Sequence, residues 1–456
     1  MEKPLAAAEL KRDLGPWPAA SIVVGTVIGS GIFLVPQTMI QRVGSVEMVF
    51  AVWIVGGLLS LAGALSYAEL AAAMPEAGGE YVYLREAYGP LWGFLYSWTQ
   101  MWVAKSGSIA TLATGFFLYL ANFFPMLEKV FYTLPLPLGP KGGPLEFRYG
   151  QLFAIALILA LAWLNFYGVK LGGEVQTAVT AVKVALIALV ILAGLALGQP
   201  HAPDLAAAAP LTFTGFVAAL VAALWAYDGW NNVSMVASEV RDPQRNLPRA
   251  LIGGTLGVIV IYLLANAAYF RVLARHEVAG SARVAAEMMG RIFGGAGANA
   301  VSLAAMISIF AALNGSILSG SRVPYAAARG GYFFAAVGKV HPVHRTPGVS
   351  ILGLSLWSCL LVLSGKYDDL FNLVIFASWI LYGMTAVAVL VLRAKRPALR
   401  RPYRTVGYPA VPLLFVLGAA VLLVSTLADR RRESLMGLGL MAAGLPFYFY
   451  WKSKRK

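Results

Sequence analysis

The sequence predicts an all-α integral membrane protein of twelve transmembrane helices, and three observations carry that reading. Hydrophobic residues fill 59% of the 456 positions and charged residues only 12%, more apolar surface than a soluble core needs. Apolar stretches long enough to cross a hydrocarbon layer, which takes roughly 20 helical residues, recur along the chain. Two of them are interrupted by short polar runs rich in glycine. An outer-membrane barrel is excluded, because its spans would alternate in hydrophobicity over about ten residues and these do not.

The twelve spans fall at residues 17–41, 47–74, 91–123, 149–167, 174–198, 212–237, 250–273, 295–322, 348–364, 369–393, 409–428 and 433–451. A polar segment, 1–16, precedes them with Lys3, Lys11 and Arg12 but no cleavable signal pattern, so span 1 is expected to stay as an anchor. Both termini, including the tail 452–456, then lie on one side. Counting span-end residues with their loops, the terminal side carries 22 Lys plus Arg and the opposite side 12, which predicts cytoplasmic termini. The loop around Arg271 to Arg291 and the triplet Arg430 to Arg432 run against that bias. The net charge of +15 is explained by cytoplasmic loops held against anionic lipid, so the bilayer is the expected partner and no nucleic acid is called for.

The single cysteine, Cys359, lies inside span 9, which leaves no internal disulfide and no thiolate metal cluster. The four histidines, His201, His276, His341 and His344, fall in loops or at span ends. His341 and His344 have no carboxylate or thiol beside them, so no metal is expected. No Ser, His and Asp set can be placed at one membrane depth, so an intramembrane hydrolase is a poor reading, and neither enzymatic activity nor a cofactor is expected.

The first interruption is Gly25 to Phe33, GTVIGSGIF, and the second is Ala226 to Asn232, AYDGWNN, about 200 residues later. Lipid tolerates such weakened helix only where the freed backbone groups line a cavity or meet a ligand. Two broken helices at matching places in two halves of a chain point to a transporter's binding site. A break turns one helix into two half-helices, one presenting unpaired N–H groups and the other unpaired carbonyls. The N–H groups of Ser30, Gly31 and Ile32 would suit an anion such as a carboxylate. The carbonyls of Val27 and Ile28 suit a cation, and span 6 can add carbonyls from Trp225 and Asp228. The backbone of Gly29, Ala226, Tyr227 and Gly229 lines the same breaks, and Ser378 of span 10 joins the expected set. A small zwitterion matches this arrangement better than a sugar, a nucleoside or an inorganic ion. Gly25 and Gly29 also have the spacing of a helix-packing motif, although packing does not explain Gly-Ser-Gly in succession. For AYDGWNN the plainer alternative is a polar packing face.

Trp225, Tyr227 and Trp230 crowd the second break, well inside the span, and suit a pocket wall or gate, with Trp225 the gate candidate. Asp228 is ionisable at depth and should face water, a basic partner or a cationic substrate group. Lys183 lies about nine residues into span 5, roughly 14 Å along the axis. A lysine there costs about 2.5–3.5 kcal/mol on insertion scales and is a candidate functional residue. It is expected either to replace a coupling sodium ion permanently by bonding the carbonyls of broken span 1, or to titrate and couple transport to protons. Lys105 in span 3 is equally deep and reads as structural or gating.

GTVIGSGIF, MPEAGGEYVYLREAYG (Met74 to Gly89), AYDGWNN with SEVRDPQRNLPRA (Ser238 to Ala250), LNGSILSGSRVPYAAARGG (Leu313 to Gly331), HPVHRTPG (His341 to Gly348) and RRPYRTVGYPAVP (Arg400 to Pro412) follow one another in order. Together they resemble the amino acid-polyamine-organocation (APC) superfamily, and within it a bacterial member of the L-type amino acid transporter family. The resemblance implies the LeuT-like fold: a 5+5 inverted repeat, here 17–198 and 212–393, with two extra helices in 409–451 and helices 1 and 6 broken at mid-membrane. It implies that Ser30 and Gly31 bind the substrate carboxylate through backbone N–H, that carbonyls of Val27, Trp225 and Asp228 hold the amino group, that Trp225 gates, and that Lys183 stands where related carriers bind sodium. It also implies a bacterial-type inner membrane location.

Two departures matter. Animal members join a single-span glycoprotein through a cysteine between helices 3 and 4, and residues 124–148 contain none, so no disulfide-linked heavy subunit is expected. Many neutral-specific members have glycine where Asp228 stands, so a cationic amino acid can be admitted. The leading expectation is a sodium-independent amino acid exchanger or facilitator working by alternating access. Proton symport through Lys183 is the alternative within transport. A membrane sensor or a channel on the same scaffold is the alternative outside it, disfavoured because no loop exceeds about 30 residues and intramembrane charges are few.

Overall fold

The computed structural model describes residues 9–136, 143–200, 212–281, 283–364, 367–429 and 431–454. Lys3, His201 and the last two residues of the tail lie outside them. Span 1 is two helices, α1 (Pro16–Val27) and α2 (Gly31–Val43), bent by 40° at the break. Helix α3 (Val46–Ala73) is capped by Ser45, whose Oγ accepts the Met48 N–H at 3.3 Å. A short α4 (Glu80–Tyr88) leads to α5 (Pro90–Thr99) and α6 (Lys105–Leu120), joined by one π-helical turn at Gln100–Ala104. Then come α7 (Tyr149–Phe166) and α8 (Val169–Leu192).

Span 6 is α9 (Phe213–Ala226), a five-residue turn, and a single helical turn α10 (Asn232–Met235). The rest is α11 (Pro243–Val272), α12 (Arg275–Gly280), α13 (Val284–Gly320), α14 (Arg322–Arg329), α15 (Gly348–Leu363), α16 (Tyr367–Lys395), α17 (Ala410–Asp429), α18 (Arg431–Ala442) and α19 (Leu445–Ser453). Among the described residues eight helices are long and apolar enough to cross a membrane, nine if the bent pair α1–α2 counts as one span, and α9 and α15 are apolar but shorter. The chain is a multi-pass helical membrane protein.

The structure departs from the sequence reading in three places. The expectation of an all-α chain fails in the loop after α6, where β1 (Val130–Leu134) pairs antiparallel with β2 (Leu145–Arg148). The run Val-Phe-Tyr-Thr-Leu is branched and aromatic, a composition that favours a strand over a helix. Span 12 is not one helix. It divides at Gly444, against which the Trp98 ring packs so closely that an added Cβ would sit 2.8 Å from Trp98 Cγ. Span 8 is preceded by ten further helical residues, separated from it by a kink at Gly294, whose φ of 65° no helix accommodates.

Helix α1 is surrounded by α8, α11 and α13, and α10 packs on the same α1 and α13, so the two breaks meet in the interior. Apolar side chains also cover the outside: Leu256, Val260 and Leu264 of α11, Leu356 and Leu360 of α15, and Leu417 and Val424 of α17 are exposed, as a lipid-facing surface requires. Past α10 the chain is fastened by the N-terminal segment. Leu14 N–H donates to the Glu239 carbonyl at 2.9 Å and Arg241 N–H donates to the Leu14 carbonyl at 2.8 Å, a one-residue parallel bridge. Beneath it the Glu239 carboxylate takes both Nε (2.7 Å) and Nη2 (2.9 Å) of Arg322, and both side chains are fully buried.

Removing one member of such a pair strands the other charge. Glu239→Ala is expected to destabilise the protein by about 3–5 kcal/mol, and the double variant Glu239→Leu/Arg322→Met to recover much of the loss. Thermal unfolding in detergent checks this, and equal melting of the single variant and the parent would show that the pair contributes nothing net.

Candidate functional site

The site grows from the failure of one helix to continue. At Ile28 the backbone leaves the helix (φ −75°, ψ 89°), and helical geometry resumes at Gly31. The two ends of the break are treated differently. On the carbonyl side the groups of Gly25, Val27, Ile28 and Gly29 all have donors within reach. Lys183 Nζ donates to the carbonyls of Gly25 (2.8 Å) and Ile28 (2.6 Å) and lies 3.3 Å from that of Ser308. Ser308 Oγ donates to Ile28 O at 2.8 Å and lies 3.2 Å from Gly29 O. The Val27 carbonyl accepts from Gly29 N–H at 2.8 Å and from the Tyr262 hydroxyl at 3.1 Å. On the amide side, among the described residues, the N–H groups of Ser30, Gly31 and Ile32 have no acceptor, and Ser30 makes no side-chain cap. A buried cation with three carbonyl neighbours faces one way, and a row of unclaimed donors at a helix N-terminus faces the other.

The second break is held against the first. After Ala226 the chain turns through Gly229, whose φ of 106° is the left-handed geometry that favours glycine. Thr26 Oγ1 lies 2.9 Å from the Gly229 carbonyl and 2.6 Å from its own Ile22 carbonyl. The Tyr262 hydroxyl that reaches Val27 also lies 2.8 Å from the Ala226 carbonyl. Gly31 touches Ala226 directly: a Cβ there would sit 2.8 Å from Ala226 Cβ and 2.9 Å from its Cα, with Trp225 Cζ3 at 3.6 Å. Trp225 is half-buried beside Gly31, and its carbonyl accepts the Asp228 N–H at 3.0 Å.

Two of the three aromatic residues expected at the pocket wall are turned away from it. Tyr227 is 1% exposed, its hydroxyl donates to the Trp53 carbonyl at 3.1 Å, and its ring packs edge-on to Trp53. Trp230 packs against Tyr67, Tyr382 and Phe415. A helical turn that reverses at Gly229 sends these rings into the packed core behind the break, so Tyr227 offers only its backbone. Ser378 is buried in α16 and, among the described residues, hydrogen-bonds to neither break.

Several residues of the site carried no signal that singled them out. Tyr262 and Ser308 are lone polar side chains in apolar runs. Glu80, in a segment noted only as a motif, is fully buried and accepts from Asn231 Nδ2 and from Ser234 Oγ (3.3 Å). Lys105, at the first residue after the π-helical turn, donates to Asn232 Oδ1 at 2.7 Å. Asp228 is half-buried, and the buried Lys105 ammonium is the cation that acts on its charge. The α10 turn is thus pinned by a buried polar network. His341 and His344 stack on each other, and among the described residues no group of three His, Cys, Asp or Glu side chains is placed to hold a metal.

A sequence model of the family described as "Amino acid permease" matches residues 14–435. The chain is 33% identical over 452 residues to the serine/threonine exchanger SteT of Bacillus subtilis (strain 168), covering 98% of each protein. It is 32% identical over 446 residues to the b(0,+)-type amino acid transporter 1 of Homo sapiens, covering 96% of this chain and 88% of that one. It is 32% identical over 466 residues to the large neutral amino acids transporter small subunit 2 of Homo sapiens, covering 98% and 82%.

The geometry makes one outcome checkable without any substrate. Lys183→Met leaves the carbonyls of Gly25 and Ile28 without their cation and is expected to speed amide exchange over residues 25–33, whereas Tyr262→Phe, which removes a neutral donor of about 1 kcal/mol, is expected to have the smaller effect. Peptide-resolved hydrogen exchange measures both, and unchanged protection in Lys183→Met would show that the ammonium does not hold the break.

Proposed function

Because the chain belongs to the amino acid permease family, we propose that it is an amino acid transporter rather than an enzyme, working by alternating access without sodium as an exchanger or facilitator. The observation that carries the sodium-independent reading is the Lys183 ammonium on the carbonyls of Gly25 and Ile28. A cation fixed covalently at that point supplies the charge a bound metal ion would supply, and it cannot dissociate with the substrate.

The proposed architecture is twelve spans, with 17–198 and 212–393 as inverted five-helix repeats and 409–451 as an outlying pair, and with both termini cytoplasmic. The substrate carboxylate is taken by the unclaimed N–H groups of Ser30, Gly31 and Ile32, where helix polarity favours an anion. The ammonium group is taken by carbonyls of Val27, Trp225 and the turn at Asp228. Those of Val27 and Trp225 already accept from Gly29 and Asp228 N–H groups, so a substrate amine competes there with Tyr262 and with the turn's own bonds. Trp225, over Gly31, is the proposed gate. Three similar proteins are named as carriers of serine and threonine, of amino acids by a b(0,+)-type system, and of large neutral amino acids. Asp228 supports admission of cationic side chains, and Lys105 beside it keeps the pocket from being anionic enough to exclude neutral ones.

Uptake of labelled amino acids into proteoliposomes at symmetric pH, without sodium, tests the reading. Unlabelled substrate inside is expected to stimulate uptake several-fold, and the labels that move identify the cargo. Uptake only under an inward proton gradient would overturn exchange in favour of proton symport through Lys183, and strict sodium dependence would overturn the role given to Lys183. In the same assay Gly31→Val is expected to abolish uptake, because the added carbons occupy the space of Ala226, and Asp228→Asn to weaken competition by lysine or arginine at least tenfold more than by serine. Equal losses for both substrate classes would remove Asp228 as a side-chain determinant.

A further inference from the structure

The start of α11 carries a feature that lies outside the two breaks. Arg245 and Arg249 lie one helical turn apart and are exposed, and among the described residues neither side chain makes an ion pair or a hydrogen bond. Arg241, Arg393 and Arg396 are by contrast paired, with Asp13 (3.6 Å), Glu69 (2.6 Å) and Glu86 (2.6 Å). The two free guanidinium groups line an open groove of about 650 Å³ with Pro248, Ile252, Gly253 and Tyr403.

The groove does not end at its basic mouth. Along α11, Gly253, Leu256, Val260 and Leu264 continue the same face at spacings of three and four residues, all of them exposed. A Cβ on Gly253 or Gly257 would meet no atom within 4 Å, so this face is bare. A surface that is basic for one turn and apolar for the next three, on a membrane-spanning helix, matches a molecule with an anionic head and a hydrocarbon tail. Asp242, at the N-cap of α11, is the acidic residue nearest in sequence and forms no ion pair with either arginine among the described residues. Across the groove, Pro402 and Tyr403 form the other wall, and they are flanked in sequence by the exposed Arg400 and Arg404.

We propose that this groove is a binding site for an anionic phospholipid, with the phosphate between Arg245 and Arg249 and an acyl chain along Gly253, Leu256, Val260 and Leu264. A soluble phosphate would satisfy the arginines but would leave the apolar face unused, so the occupant is lipid. Basic pockets at the mouth of a transmembrane helix favour such head groups through charge, and chain length adds affinity through burial.

The experiment compares melting temperatures of the purified full-length protein in detergent with added dioleoylphosphatidylglycerol, dioleoylphosphatidylcholine or inorganic phosphate, and counts bound lipids by native mass spectrometry. Phosphatidylglycerol is expected to raise the melting temperature more than phosphatidylcholine does. In Arg245→Gln/Arg249→Gln its retention is expected to fall on the order of tenfold, leaving the phosphatidylcholine response unchanged. If that variant fails to fold, Gly253→Trp fills the groove from a position with open space and is expected to lose the same increment. Equal stabilisation by the two lipids, an undiminished response in both variants, or the full effect from inorganic phosphate alone would each overturn the site.

Discussion

The ammonium group of Lys183, seated on the carbonyls at the end of α1, is the interaction on which the interior depends. A helix interrupted away from water exposes backbone groups that hydrocarbon cannot satisfy. Here the carbonyl half of that demand is met by the protein itself, with Ser308 and Tyr262 assisting, so the interruption persists without solvent. A lysine buried this completely is equally dependent on the break, because the carbonyls it frees are the acceptors that surround the ammonium. Each removes the cost of the other.

From that point the rest of the interior follows. With α1 ended at Val27, the path of α9 is set by contact with Gly31 and by the bonds of Thr26 to Gly229 and of Tyr262 to Ala226. The α10 turn is then fixed from behind by Glu80 and Lys105, and the chain beyond it by Arg322 and the N-terminal bridge. The donors of Ser30, Gly31 and Ile32 are left over in this arrangement, and the Val27 and Ile28 carbonyls that Gly31 and Ile32 would meet in a continuous helix are already taken.

Much of this was legible in the residues. The long spans could be read because lipid-facing helices are apolar over fixed lengths, and the breaks because Gly-Ser-Gly and Asp-Gly have no place in a continuous membrane helix. Lys183 stood out because its cost demanded a partner, and unpaired carbonyls were the natural one. Other features left no trace in one dimension. Tyr262 and Ser308 look like ordinary polar residues on a packing face, and only their position opposite the break gives them meaning. Tyr227 and Trp230 were misplaced because a run of aromatic residues does not reveal which way a turn faces; the left-handed geometry at Gly229 decides that. The β1–β2 hairpin and the division of span 12 at Gly444 fell where composition alone favoured a simpler answer.

The Tyr262 hydroxyl sits within reach of two carbonyls, one on each broken helix, yet it carries a single proton. It can satisfy Val27 or Ala226 at any moment, not both. Val27 also accepts from Gly29 N–H, whereas the hydroxyl lies nearer to Ala226, so the carbonyl with the alternative donor is the one that can do without it. The two broken helices thus share one donor, and the spacing of α1 and α9 at this point decides which of them it serves.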